Sequence, residues 1–265
     1  MLDENPGVDA GRRRGRLDLN AIFSLSAFPL LLAVLAFVLA SLCLALAMLE
    51  WSRRRSVSEV RYLPVPPFFT AITTAWGLSL GFVAADLWTL HAHAEQAASA
   101  ERSSISRLVG MAAPEALDLP DLHAALAAYS VAVRDSEWGK GEAPAPAVEN
   151  ALQAMRLALV GLARDTEPTP LVEKMAQDFD ELQDARNARL ALGIGSISTY
   201  KWYLVMALTV LALIAIAAAH GDRPPAGRIS LGIFSATAVV CLWIVAMHAN
   251  PYAGGAAIGF SLPAP

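Results

Sequence analysis

The chain has 265 residues, 55% of them hydrophobic and 17% charged, with a formal net charge of −4 and a mean hydropathy of +0.45. That balance excludes an ordinary water-soluble domain and a basic nucleic-acid binder, and it points to a membrane protein. The two cysteines, Cys43 and Cys241, both fall inside apolar runs, so they read as packing residues and exclude a disulfide framework or a CxxC metal site.

Residues 1–21 form a basic N-terminal tail with Arg12, Arg13, Arg14 and Arg16. Residues 22–90 are expected to hold the first and second transmembrane helices. The first apolar run, Ile22 to Leu49, is 28 residues without a charge, and about 20 suffice to cross a bilayer. Pro29 suits a first helical turn, which leaves Ile22 to Phe28 as an interfacial lead-in. The run is too long for a signal-peptide h-region, so it reads as a retained span. The second, Phe68 to Leu90, follows Pro66 and Pro67 and contains one carboxylate, Asp86. An ionisable group in a span marks either an aqueous path or, this near the end, an interfacial position.

Residues 91–199 hold nine Lys or Arg against sixteen Asp or Glu, whereas the rest of the chain is net positive. This stretch is expected to be an acidic helical extramembrane region. Leu119, Leu122, Leu126, Tyr129 and Val133 keep helical spacing, as do Val148, Leu152, Met155, Leu159 and Leu162. A third helix starts near Pro170 and carries Leu171, Met175, Phe179 and Leu182 on one face. Within the region, Arg186 and Arg189 share a helix face and approach the level of Glu101, about 16 Å past Leu90 along a helix. Two readings follow: a charge pair tying two projecting helices together, or an anion site built on the arginines. His91 and His93 point apart on a helix and are expected as interface-exposed side chains rather than metal ligands.

Residues 200–249 are expected to hold the third and fourth transmembrane helices. Trp202 to Ala219 opens on the interface-like Lys201, Trp202 and Tyr203, and "HGDRPPAGR" turns the chain into Ile229 to Ala249. Residues 250–265 form a Gly/Pro-rich C-terminal tail. There Asn250, Pro251, Tyr252 and Gly254 suggest a helix stop followed by a packing or gating element, with the Tyr252 ring in lipid and its hydroxyl in water. The short loops carry six arginines against four in the N-terminal tail. That tilts the loops toward the cytoplasm but leaves open which side the acidic region faces.

The fold class is therefore an all-α integral membrane protein with four spans and a helical extramembrane region between the second and third. No nucleophile elbow, zinc-protease, phosphate-loop or dinucleotide motif is present, so neither an enzyme nor a cofactor is expected.

Four stretches resemble the bacterial bestrophin-like membrane proteins, a domain of unknown function with four transmembrane helices. They are Glu101 in "AEQAASAERSSISRLVG", the R-x-x-R-L of "RNARL" at 186–190, "YKWYLV" at the third span, and "NPYAGG" after the fourth. The likeness runs from about residue 30 onward. The sequence departs from the family pattern in "ISTYKW", where a proline often stands, and in its longer basic extension. Bestrophins are oligomeric anion channels, so the resemblance implies a homo-oligomeric, ion-conducting protein of the bacterial inner membrane. The competing expectation is a membrane-anchored sensor or scaffold whose acidic helices bind a protein partner.

Overall fold

The computed structural model describes residues 25–55, 65–140, 144–165, 169–194, 199–220 and 223–263. The basic tail, Arg61 and residues 22–24 of the expected lead-in lie outside the described residues, and the end of that lead-in, Ala27 and Phe28, is already helical. Among the described residues seven helices follow in order, with no strand: α1 Ala27–Arg55, α2 Val65–Ala112, α3 Pro120–Ser136, α4 Pro146–Asp165, α5 Pro170–Ile194, α6 Thr199–Ala219 and α7 Pro224–Met247. Four of them, α1, α2, α6 and α7, are long and apolar enough to cross a membrane.

Proline positions explain several of the starts. Pro120, Pro146, Pro170 and Pro224 each open a helix, where the missing N–H would be unpaired anyway. Acidic Asp121, Glu149 and Glu173 fill the first turns of α3, α4 and α5, facing the positive end of the helix dipole. Nothing comparable breaks α2, so its 48 residues run about 72 Å, well beyond the roughly 30 Å of a hydrocarbon core.

Inside the spans, Leu30, Val83, Leu87, Val205 and Leu242 form one buried cluster and Ala45, Leu49, Leu213 and Leu231 another. A polar tie joins α2 to α6: Trp76 Nε1 donates to Thr209 Oγ1 at 2.9 Å, and that hydroxyl donates to Val205 O. Two details differ from the sequence reading. Trp202 is only 4% exposed and belongs to the span core, leaving Tyr200 and Tyr203 as the exposed aromatics at the start of α6. Cys43 is exposed on α1 rather than packed, because the core-facing side of that helix is taken by Leu30, Val38, Ala45 and Leu49.

Beyond the spans, α2 continues alongside α5 while α3 and α4 pack as a hairpin against them. Their shared core is Ile105, Leu108, Leu122, Leu126, Tyr129, Val133, Val148, Leu152, Met155, Met175, Phe179 and Leu182. Each expected stripe thus faces inward, except that Leu171 at the start of α5 is exposed. An ion pair ties α2 to α5, Arg107 reaching the buried Asp178 at 2.8 Å, and Lys174, one turn before Asp178 on α5, reaches the same carboxylate at 3.0 Å.

Candidate functional site

α2 carries Glu101 into the centre of the extramembrane bundle, and α5 brings Arg186 and Arg189 to meet it. Glu101 is completely buried, and both arginines are 3% exposed. Arg189 donates through Nε to Glu101 Oε2 at 2.6 Å and through a terminal nitrogen to Oε1 at 3.2 Å. Tyr129, from α3, donates its hydroxyl to Glu101 Oε1 at 2.6 Å. Three helices converge on one carboxylate.

Glu137 completes the cluster from the turn after α3. It accepts Arg186 through both oxygens, Arg189 at 2.9 Å and the Ala145 backbone N–H at 3.0 Å. Arg186 also reaches Glu149 of α4 at 2.8 Å, where the carboxylate is half exposed. Two buried arginines therefore face two buried carboxylates, which satisfies the condition for holding ions away from water. The guanidinium donors that an anion site would need are directed at Glu101, Glu137 and Glu149.

The electrostatics follow from these contacts. Burial alone would raise the Glu137 carboxyl, but the hydrogen bonds from Arg186, Ala145 N–H and Arg189 together hold it below the ordinary glutamate value. Burial would lower both arginines, yet their carboxylate partners raise them above the ordinary value. The Tyr129 hydroxyl is pushed well above the ordinary phenol value, first by burial and then by the negative charge and hydrogen bond of Glu101.

The C-terminal tail reaches the same cluster. Asn250 Oδ1 accepts the backbone N–H groups of Tyr252 and Ala253 at 3.0 and 3.1 Å, turning the chain directly after α7. Pro251 is buried and its carbonyl accepts Ile258 N–H at 2.8 Å, closing the tail on itself. Gly254 takes φ +99°, which a side chain would resist. Tyr252 is 7% exposed and donates to the Ala94 carbonyl of α2 at 2.8 Å. This corrects the interfacial placement read from the sequence: the ring packs edge-on against Trp138 at 5.5 Å, and the Arg189 guanidinium lies 5.3 Å over the same indole. Trp138 Nε1 donates to Ile258 O at 3.1 Å. Room for this comes from Gly139, at φ +68°, where a Cβ would stand 2.6 Å from the Tyr252 carbonyl oxygen.

Asp86 lies apart from the cluster. It pairs with Lys201 at the start of α6, both side chains about half exposed. His91 packs edge-on against His248 at 5.8 Å between ring centres instead of facing the interface, while His93 is exposed. No group of three or more potential ligands for a metal ion occurs among the described residues.

Sequence reasoning singled out Glu101, Arg186, Arg189 and Tyr252 but missed Glu137, Glu149, Tyr129 and Trp138. Tyr129 was read only as part of an apolar stripe. The available signal for the turn was a tryptophan and a glycine flanking charge in "SEWGKGE".

These features define a multi-pass helical membrane protein whose second span extends into a polar-centred bundle. The sequence model of the bestrophin-like domain matches residues 30–261, so the chain belongs to the bestrophin-like family. A solved structure, that of a point-mutated bacterial bestrophin homologue from Klebsiella pneumoniae, is similar with a TM-score of 0.62 at 16% identity, covering 86% of this chain and 92% of that one. At that identity the likeness concerns the fold. No curated protein matches the chain.

Proposed function

We propose that the protein is an oligomeric ion channel of the bacterial inner membrane that conducts anions and performs no catalysis. The observation that carries this reading is the surface of α2. Thr74, Gly77, Gly81, Ala85, Thr89, Ala92, Gln96, Ser99 and Ser103 are all exposed, and their steps of three and four average close to the 3.6-residue turn. They form a straight, uncharged strip of mostly small side chains about 44 Å long, running from the span into the bundle. A Cβ at Gly77 or Gly81 would meet nothing within 4 Å. Copies of the chain arranged with these strips around one axis would line it with small groups and exposed backbone, the strip itself carrying no charge. Asp86, next to Ala85, has its charge offset by Lys201.

In this reading Glu101, Arg186 and Arg189 are structural and do not lie on the ion path, while Asn250, Pro251, Tyr252 and Gly254 pack the tail against α2. Purified protein in planar bilayers should carry chloride current, and Gly81→Trp should reduce it sharply while leaving thermal stability unchanged. Absence of anion or cation conductance would overturn the proposal and favour the scaffold reading. For that alternative the supporting surface is α4, where Leu157 and Val160 are 62% and 40% exposed.

A further inference from the structure

At the opposite end of the spans from the charged cluster, α1 and α7 leave a groove of about 510 Å³ between them. One wall is α1, with Leu42, Leu46 and Leu49 one turn apart and Glu50 at the mouth; the other is α7, with Pro224, Arg228 and Gly232. Leu49 is buried and the flanking Ile229 and Ile233 are 66% and 65% exposed, so the groove opens where the spans face lipid.

Arg228 stands across its mouth. Its only ionic contact among the described residues is Glu50 at 3.9 Å, and its side chain is 64% exposed. That distance is too long for a hydrogen bond, whereas Glu50 has further interactions of its own. The guanidinium thus presents unused donors one turn inside the start of α7. The surrounding sequence is basic as well: Arg53, Arg54 and Arg55 close α1 and Arg223 precedes α7.

A groove that follows Leu42, Leu46 and Leu49 for about 10 Å, with the Arg228 guanidinium and Glu50 at its mouth and further arginines nearby in the sequence, has the shape and charge to take a phospholipid with an anionic head. We infer that this groove binds an anionic phospholipid, the phosphate on Arg228 and one acyl chain along Leu42, Leu46 and Gly232. Guanidinium suits phosphate because it offers paired donors in one plane, and basic pockets between membrane helices near the interface take such heads. At Gly232 a Cβ would meet nothing within 4 Å, which leaves the width an acyl chain needs. The inference requires only that the chain spans a membrane and is independent of conduction.

The test is native mass spectrometry of the purified full chain, titrated with dioleoyl phosphatidylglycerol and dioleoyl phosphatidylcholine. The wild type should retain phosphatidylglycerol preferentially. Arg228→Gln should cut that preference about fivefold, the value of one interfacial cation. Gly232→Leu, which fills the channel without touching the charge, should lower retention of both lipids. An unchanged preference in Arg228→Gln overturns the inference. Displacement of phosphatidylglycerol by inorganic phosphate at matched concentration would also overturn it, because the site would then be one for free phosphate.

Discussion

Arg189 and Glu101 are 88 residues apart in sequence, yet Nε and Oε2 meet at 2.6 Å with both side chains closed off from solvent. The pair joins α5 to α2 at a level where neither charge could find water if the other were removed. Arg189→Ala should therefore destabilise the protein by about 3–5 kcal/mol, chiefly by stranding Glu101. Thermal unfolding in mild detergent measures this. Arg189→Lys should recover only part of the loss, since an ammonium cannot reproduce the planar contacts to Glu101 and Glu137.

Exposure, not distance, should rank the other members. The Arg186 contact to Glu149 is 2.8 Å, but Glu149 is 53% exposed while Glu137 is fully buried. Glu149→Ala should cost less than about 1 kcal/mol, and Tyr129→Phe about 1.5–3 kcal/mol through the lost bond to a charged acceptor. Equal losses for Glu149→Ala and Glu137→Ala in the same melts would contradict this ranking.

Acid should loosen the bundle before the spans. The Glu137 carboxyl is lowered in the fold by its hydrogen-bond donors, so its contribution is complete above the unfolded glutamate value of about 4.3 and is lost as pH falls through the lower folded value. Tryptophan fluorescence, read against the Glu137→Gln variant, should show a flat neutral plateau and a decline below that point. The decline should be shallower in the variant, which is less stable at neutral pH. The raised Tyr129 hydroxyl acts at the other extreme. Its contribution is intact below the ordinary phenol value of about 10 and drains away above it as pH rises through the folded value.

The tail should be released by a single methyl group. Gly139→Ala combines a left-handed φ of +68° with a Cβ placed 2.6 Å from the Tyr252 carbonyl, costing about 1–3 kcal/mol in backbone strain. Limited proteolysis should cut the C-terminal segment faster in this variant, and Tyr252→Phe, lacking the bond to Ala94, should show a smaller increase. Deleting residues 252–265 should weaken assembly; intact oligomers of unaltered stability in mild detergent would reduce the tail to a frayed end.

The spans were legible because a bilayer imposes length and apolarity on each helix separately. The bundle helices were legible because Leu122, Leu126, Tyr129 and Val133 keep one periodicity. Glu101 and the arginine pair stood out because Arg186 and Arg189 share one helix face and the returning helix brings them to the level of Glu101. Glu137 was invisible for the converse reason. In "SEWGKGE" it resembles any solvated turn charge, and only the return of α5 49 residues later buries it against Arg186. Tyr252 misled because a tyrosine after a span usually marks the interface, and the space that draws it inward is created by Gly139, 113 residues earlier.

The unbroken course of α2 makes it a lever. Glu101, clamped by Tyr129 and Arg189, and Gly77, on the open face of the span, share one rigid axis about 36 Å apart. A one-degree tilt of that axis about Glu101 corresponds to a sideways displacement of about 0.6 Å at Gly77. A tilt at the Glu101 clamp would therefore load the far end of the helix, where Trp76 is tied to Thr209.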